Sequence, residues 1–263
     1  MPHTQYDIVI VGGGPGGYTA AIRASQLGMK AALVERDRLG GVCLNWGCIP
    51  TKALLRNAEI YSTLLHADEW GISAKDVSFD FPRIIKRSRG VAERISKGVE
   101  YLMKKNAITV HTGTACLTAA DTLEIKAEGK PTATISAPHI VLATGARSRS
   151  IPNVTIDRKR IITSSEAMTL PARPDSMVII GAGAIGIEFA TFYSALGTKV
   201  TVVEMMPSIL PIEDAELTKL LATSLTRRGV ELLTGARVEG AQAGNTGVSV
   251  TVQQGGEQRT LTA

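Results

Sequence analysis

The chain has 263 residues, of which 44% are hydrophobic and 20% charged, enough for one large domain or two ordinary ones. No uninterrupted apolar stretch approaches the roughly 18 residues of a membrane-spanning helix, so no membrane association is expected. The N-terminal residues, MPHTQYDIVIVGGG, lack the charged leader and long apolar core of a secretory signal, which predicts a cytoplasmic protein.

Residues 6–35 open the chain with a predicted strand, glycine-rich turn, helix and second strand. The apolar run Ile8–Val11 predicts a buried strand, and Gly28 closes the Ala-rich helix. The turn has the pattern G-x-G-x-x-G, formed by Gly12, Gly14 and Gly17. Glu35 ends the second strand, 18 residues beyond the last glycine. This context is typical of a dinucleotide-binding unit.

Each feature of that unit has a physical purpose. The first glycine allows the tight turn, the second lets a pyrophosphate approach the backbone, and the third lets helix and strand pack closely. The helix N-terminus would hold phosphates with its free N–H groups. Glu35 would accept hydrogen bonds from a ribose diol. An ordinary strand–helix–strand unit with incidental glycines is the alternative.

The next segment, GGVCLNWGCIPTK, carries Cys43 and Cys48. A zinc site needs about four ligands, and no histidine stands at ligand spacing from this pair. A static disulfide would close a very small loop and stabilise little. A redox-active dithiol is favoured over both alternatives.

Three features favour the redox interpretation. Pro50 near the first helical position predicts that Cys48 lies just ahead of a helix N-terminus, which lowers a thiol pKa. Lys52 adds a positive charge one turn later. The segment also begins five residues after Glu35, where a bound dinucleotide would lie. A flavin would then relay electrons between the dithiol and a nicotinamide.

Residues 50–105 are predicted to be helical. Basic residues concentrate between Arg83 and Lys105 and account for much of the net charge of +5. Only Tyr101 adds an aromatic ring to this run, so a solvated helix face is favoured over an anionic partner, and no nucleic acid is expected.

Strand-like segments follow: AITVHTG, DTLEIKA, TATISA and HIVLATG. We place a domain boundary near residue 150. Cys116 has no partner in the pattern and is interpreted as a small buried residue. Trp46 is interpreted as a packing residue.

A second copy of the first unit occupies residues 176–204. A shift of 169 positions aligns the two, and Gly181, Gly183 and Gly186 take the glycine positions while Glu204 ends the strand. An acid at Glu204 disfavours a ribose 2′-phosphate, which predicts NAD rather than NADP.

The fold class is therefore α/β, with two Rossmann-like dinucleotide-binding domains of the three-layer ββα type. Residues 1–150 are predicted to form an FAD domain with a redox-active disulfide, and residues 151–263 an NAD domain. Residues 260–263 resemble residues 134–137, after which the first copy continues into a closing strand. We therefore expect the second domain to be truncated.

The segment from Gly40 to Lys52 resembles that of the flavin disulfide reductases, the class I pyridine nucleotide-disulfide oxidoreductases. Leu-Asn after the first cysteine and Ile-Pro-Thr-Lys after the second are most similar to the dihydrolipoamide dehydrogenases. The resemblance implies that Cys43 is the interchange thiol toward substrate and Cys48 the thiolate facing the flavin. It also implies that Lys52 lies near the flavin and pairs with Glu188.

The same resemblance implies the cofactor-binding residues. Those for FAD are Gly12, Gly14, Pro15, Gly16, Gly17, Glu35, Gly41, Lys52, Ala115, Thr144, Gly145 and Ala146. Those for NAD are Gly181, Gly183, Gly186, Glu188, Glu204 and Val238. No metal is implied. Ala115 and Val238 as plain strand residues, and Thr144 and Gly145 as a simple turn, are the alternatives.

The implied activity is oxidation of dihydrolipoamide through the Cys43–Cys48 disulfide and FAD to reduce NAD. The implied partners are the lipoyl domains of 2-oxo acid dehydrogenase acyltransferase cores, and the full-length form is expected to be a homodimer. The resemblance also implies a general base, a late His paired with Glu, which is not among the four histidines of this chain. By the same resemblance we expect the C-terminal dimerisation domain to be absent. A nucleotide-binding fragment without turnover, or a related disulfide or mercuric reductase, are the alternatives.

Overall fold

The computed structural model describes residues 3–263, which separate into two compact units. The first comprises the chain up to Pro50 together with Arg89–Arg147, and the second comprises Thr51–Ser88 and Ser148–Ala263. Among residues 3–263, no helix is both long and apolar enough to cross a membrane.

Within the described residues, the first unit contains eight strands, two whole helices and parts of two others. In chain order the elements are β1 (His3–Gln5), β2 (Ile8–Val11), α1 (Pro15–Gln26), β3 (Ala31–Glu35), α2 (Gly41–Trp46), α3 (Cys48–Leu65), α4 (Phe81–Lys105), β4 (Thr109–Thr112), β5 (Thr114–Ala119), β6 (Thr122–Ala127), β7 (Lys130–Ser136) and β8 (His139–Leu142). Helices α3 and α4 also run into the second unit.

Two sheets and a helical layer make up this unit. The parallel sheet has the order β4-β3-β2-β8, and the other sheet has the order β1-β7-β6-β5, in which β5, β6 and β7 form an antiparallel meander. On one face of the parallel sheet, Ile10 and Leu33 pack with residues of α1, α2 and α4. On the other face, Val9 packs against Ile135 of the meander. Successive residues of a strand point to opposite faces, so an uninterrupted apolar run fills both cores.

The second unit repeats this plan. Its further elements are a short 3₁₀ helix (Ala67–Trp70), α5 (Ser164–Ala167), β9 (Ser176–Ile180), α6 (Ala184–Ala195), β10 (Lys199–Val203), α7 (Ala215–Arg227), β11 (Glu231–Leu233), β12 (Ala236–Ala243), β13 (Val248–Gln254) and β14 (Glu257–Thr262). A parallel sheet of order β11-β10-β9 and an antiparallel meander of order β12-β13-β14 result. The three-layer α/β prediction is confirmed.

The structure also confirms the internal repeat. Ile8 pairs with Ala31 in the first unit and Ser176 with Lys199 in the second, the same register at both places. Helices α1 and α6 each have 12 residues. In the first unit β8 adds a fourth parallel strand beside β2. No strand of the described chain takes that place beside β9.

Helix α4 carries the basic run. Its apolar positions, among them Ile85, Ala92, Val99 and Met103, are buried at helical spacing. The cations on the opposite face are exposed: Arg83, Lys86, Arg87, Arg94, Lys97, Lys104 and Lys105. The prediction of a solvated basic face therefore agrees with the burial pattern.

Candidate functional site

The first glycine turn is shaped by backbone contact. Gly12 has a φ of +107°, and its N–H donates to the Val34 carbonyl at 2.8 Å. A Cβ at Gly12 would collide with the Ala143 carbonyl, and a Cβ at Gly17 would collide with the Gly12 carbonyl. Both positions therefore require glycine for steric reasons.

The acid at the end of each second strand holds the adjacent turn. Glu35 accepts hydrogen bonds from the N–H of Gly13 at 2.6 Å and of Asp37 at 2.8 Å. Glu204 accepts from the N–H of Ala182 and of Met206, both at 2.8 Å. Each carboxylate keeps further acceptor capacity, since two oxygens offer about four lone-pair positions.

Both helices that follow the glycine turns have uncapped N-termini. Gly14 and Gly183 occupy the N-cap positions with extended backbone and no side-chain cap, and neither helix has an acid in its first turn. Backbone N–H groups there are oriented to bind an anion, and the helix dipole favours one. The donor set at both turns therefore fits the pyrophosphate of a dinucleotide.

A cavity of about 290 Å³ adjoins the first turn. Six of its lining residues are predicted FAD residues: Gly12, Glu35, Ala115, Thr144, Gly145 and Ala146. The others include Arg36, Gly113, Thr114 and Arg147, which the sequence analysis missed. Arg36 directly follows Glu35, so its position at the strand end was the available signal. Arg147 directly follows the predicted Ala146, so adjacency to a predicted residue was the available signal there too.

Val238 occupies the position in the second unit that Ala115 occupies in the first. The N–H of Gly113 donates to the Glu35 carbonyl, and that of Ala236 donates to the Glu204 carbonyl, both at 2.9 Å. Ala115 and Val238 each lie two residues further on, in the first strand of the meander. Val238 is half-buried beside an irregularity in β12.

The cysteine segment is joined directly to the first glycine turn. The N–H of Gly40 donates to the Gly13 carbonyl at 2.8 Å, and a Cβ at Gly41 would lie 2.6 Å from the Gly14 Cα. Gly40 and Gly41 both have positive φ, at +97° and +56°. Helix α2 therefore starts against the turn that would hold the pyrophosphate.

The two cysteines lie on different helices. Cys43 is half-buried in α2, and Cys48 is exposed at the first residue of α3. The sequence analysis predicted no helix at α2 and placed Cys48 just ahead of α3, with Pro50 near the first position. Pro50 is instead the third helical residue, because the non-helical backbone of Gly47 (φ −150°, ψ −118°) ends α2 and the chain turns helical again at once.

Within the second unit, Lys52 Nζ lies 3.9 Å from Glu188 Oε1. The Lys52 side chain is 67% exposed and that of Glu188 32% exposed, so the pair is loose and solvated. Cys116 is half-buried on β5, where it pairs with Glu124 of β6. Among residues 3–263, no group of three or more His, Cys, Asp or Glu side chains is arranged to hold a metal.

Residues 6–263 match the family described as pyridine nucleotide-disulphide oxidoreductase. The chain belongs to this family. Among the proteins similar to this chain are dihydrolipoyl dehydrogenases. That of Zymomonas mobilis is 45% identical over 94% of this chain and 53% of its own length, and that of Rhizobium etli is 45% identical over 95% and 55%.

Solved structures agree with this family assignment. LpdA from Mycobacterium tuberculosis superposes with a TM-score of 0.89 at 29% identity, over 98% of this chain and 56% of its own. The flavoprotein disulfide reductase RclA from Escherichia coli gives a TM-score of 0.81 at 28% identity, over 98% and 55%. The chain thus spans about half the length of the curated relatives it matches.

The pyridine nucleotide-disulphide oxidoreductase assignment implies the use of FAD and NAD(H). In this structure most of the predicted FAD residues lie at the first glycine turn and its cavity, whereas Lys52 lies in the second unit beside Glu188. The predicted NAD residues Gly181, Gly183, Gly186 and Glu204 lie at the second glycine turn. Sequence reasoning found both turns but missed helix α2 and the arginines at the cavity.

Proposed function

We propose that the chain carries the dithiol and dinucleotide-binding portion of a dihydrolipoyl dehydrogenase. The observation that carries the proposal is the attachment of the Cys43–Cys48 segment to the glycine turn through Gly40 and Gly41. A dithiol held against a dinucleotide turn is the arrangement that thiol-to-nucleotide electron transfer requires. Relatives 45% identical and named dihydrolipoyl dehydrogenase support the choice of substrate.

The first unit would hold FAD. Its pyrophosphate would meet the uncapped N-terminus of α1 at Gly14, Pro15, Gly16 and Gly17. The adenosine portion would enter the cavity beside Glu35, Ala115 and Thr144. When bound, the flavin would supply electron transfer between a dithiol and a nicotinamide.

The second unit would hold NAD in the equivalent way. The N-terminus of α6 would hold the pyrophosphate, and Glu204 would accept the ribose hydroxyls with the lone pairs left by its two backbone bonds. The negative charge of Glu204 would repel a 2′-phosphate, which supports NAD over NADP.

The chain's own residues would divide the thiol chemistry. Cys48 at the first residue of α3 lies where the helix dipole favours a thiolate, so it would be the thiolate directed to the flavin. Cys43, one helix earlier, would exchange with the substrate sulfur. Lys52 follows Cys48 by one turn and would add positive charge near the flavin, and Glu188 would hold its ammonium.

The substrate partners would be lipoyl domains of 2-oxo acid dehydrogenase acyltransferase cores, and the whole protein would act as a homodimer in the cytoplasm. The name of the relatives, dihydrolipoyl dehydrogenase, supports a lipoyl-bearing substrate. A reductase of another disulfide is the second candidate, since RclA has the same fold over this chain.

The test is anaerobic reduction of the purified chain reconstituted with FAD. We expect dihydrolipoamide or NADH to produce a long-wavelength charge-transfer band, and Cys48→Ser to abolish it while Cys43→Ser retains it. Persistence of the band in Cys48→Ser would contradict the role of Cys48. Reduction by another dithiol or by NADPH in clear preference would favour the second candidate.

A further inference from the structure

Trp46, between the two cysteines, has a partner that the proposed function does not use. The guanidinium carbon of Arg89 lies 4.3 Å from the centroid of the Trp46 ring. Both side chains are half-buried and belong to the first unit. Such a cation over an indole face makes an attractive contact, which is stronger where water is excluded.

One guanidinium nitrogen of Arg89 lacks a hydrogen-bond acceptor in the described part of the chain. This atom, Nη1, is buried. A buried guanidinium N–H without an acceptor is costly, so the ring face must supply the compensation. Burial, together with the nearby charge of Arg38, lowers the pKa of Arg89. The group still carries its charge, because arginine does not deprotonate in proteins.

Arg89 and Ser96 are two of the points at which α4 contacts the cysteine segment and the residue before it. Ser96, seven residues later on the same helix face, donates from Oγ to the Leu39 carbonyl at 2.6 Å. The buried Asn45 amide donates to the carbonyls of Leu39 and Gly41, both at 3.0 Å. Ser96 therefore fixes the chain before α2, and Arg89 fixes the last residue of α2, immediately before Gly47 turns the chain toward Cys48.

We propose that Arg89 is a positioning residue for the Cys43–Cys48 pair, acting through Trp46 to hold the turn between the two cysteine-bearing helices. This rests on the proposed function, because it presumes that the pair is redox-active. Without Arg89, the turn gains freedom mainly in the dithiol form, since the disulfide restrains the turn by itself. Loss of Arg89 therefore shifts the equilibrium toward the dithiol.

The experiment equilibrates the purified chain with mixtures of reduced and oxidised dithiothreitol. Reduced dithiothreitol closes to its cyclic disulfide, and its two electrons and two protons convert the Cys43–Cys48 bond into two thiols. Alkylation followed by peptide mapping measures the fraction of each form. The background is Trp70→Phe, which leaves Trp46 as the only tryptophan of the two in the chain and makes its fluorescence a reporter of the contact.

We expect Arg89→Met to shift the equilibrium constant about threefold to tenfold toward the dithiol, in line with a cation–π contact; tenfold corresponds to about 30 mV. Trp46→Leu should shift it equally, and the double variant should add nothing further. Arg89→Lys should recover part of the effect, and its Trp46 emission should lie between those of the parent and Arg89→Met. Arg94→Met is the matched control, because Arg94 is exposed on the same helix.

The outcomes separate the two hypotheses. If the parent chain forms no Cys43–Cys48 disulfide in oxidised dithiothreitol, the proposed function fails. If the disulfide forms and neither Arg89→Met nor Trp46→Leu changes its equilibrium constant, the positioning role is overturned. Should Arg89→Met fail to fold, Arg89→Lys decides, since an unchanged constant and unchanged Trp46 emission in that variant would equally overturn it.

Discussion

The two glycine turns share one design but differ in what closes them. In both units the same strand register precedes an uncapped helix, and a glutamate accepts two backbone N–H groups. A Cβ at Gly12 would collide with the Ala143 carbonyl, whereas a Cβ at Gly181 would meet no atom within 4 Å. The difference arises because β8 runs beside β2 and delivers Ala143 to the turn.

The comparison shows that the same sequence motif can be required for different reasons. Gly181 has a φ of +102°, which disfavours a side chain by itself. Gly12 has a similar positive φ and also lies against the backbone of Ala143, which is 131 positions away in the sequence. The third glycines behave alike, since a Cβ at Gly17 or at Gly186 would collide with the carbonyl of the first glycine in its own turn.

The largest expected effect tests the difference between Gly12 and Gly181 directly. Gly12→Ala should destabilise the first unit by about 3 kcal/mol or more, because both strain and collision oppose it. Gly181→Ala should cost the second unit about 1–2 kcal/mol through strain alone. Urea unfolding can follow each unit separately: Trp46 fluorescence reports the first unit in Trp70→Phe, and pulsed hydrogen exchange of backbone amides reports the second. Equal losses would show that β8 does not constrain the turn.

The second prediction concerns what the turns share. Glu35→Gln and Glu204→Gln should each destabilise their own unit by about 1–2 kcal/mol, because an amide replaces one accepting oxygen with a donor that faces a backbone N–H. The same urea experiment measures both changes. FAD affinity should fall only in Glu35→Gln and NAD affinity only in Glu204→Gln, as equilibrium titrations would show. A loss of NAD binding in Glu35→Gln would contradict the assignment of the two turns.

The third prediction uses a position at which the units differ chemically. His111 pairs with Val34 across the sheet, and Leu233 pairs with Val203 at the matching place. Tyr6 Oη lies 3.0 Å from His111 Nε2, and burial lowers the pKa of His111. Below about pH 6.5 the unfolded chain takes up a proton before the folded one does, so the first unit should lose stability as pH falls.

Stability of the first unit, measured with Trp46 from pH 8 to pH 5, should therefore fall further than in His111→Gln. The matched control is the second unit, which lacks a histidine at this position. An unchanged pH dependence in His111→Gln would exclude His111 as the cause.

The smallest expected effect concerns a position at which helices α1 and α6 differ. Glu188 on α6 corresponds to Thr19 on α1, and its ion pair with Lys52 is long and solvated. Glu188→Thr should change the stability of the second unit by less than about 0.5 kcal/mol. If Glu188 holds Lys52 near the flavin as proposed, the charge-transfer band should nevertheless weaken. A large stability loss would mean that the pair is structural.

Much of the fold could be read from local sequence patterns. The apolar runs at Ile8–Val11 and Ser176–Ile180 predicted buried strands, and the glycine spacing predicted the turns. β5 was missed because Thr114–Ala119 has no apolar alternation, since most of its residues are exposed. Helix α2 was missed because six residues hold too few turns for a helical period to appear.

The repeat, the two glycine turns and the position of the cysteine pair beside the first turn could be read from the sequence alone. These features depend on residues close together in the chain, where periodicity and backbone requirements act. Three contacts came from the tertiary structure instead. Ala143 lies against Gly12, Arg36 and Arg147 line the cavity, and Arg89 stacks on Trp46. Such contacts join distant segments, and they are set by how strands and helices pack rather than by any local pattern.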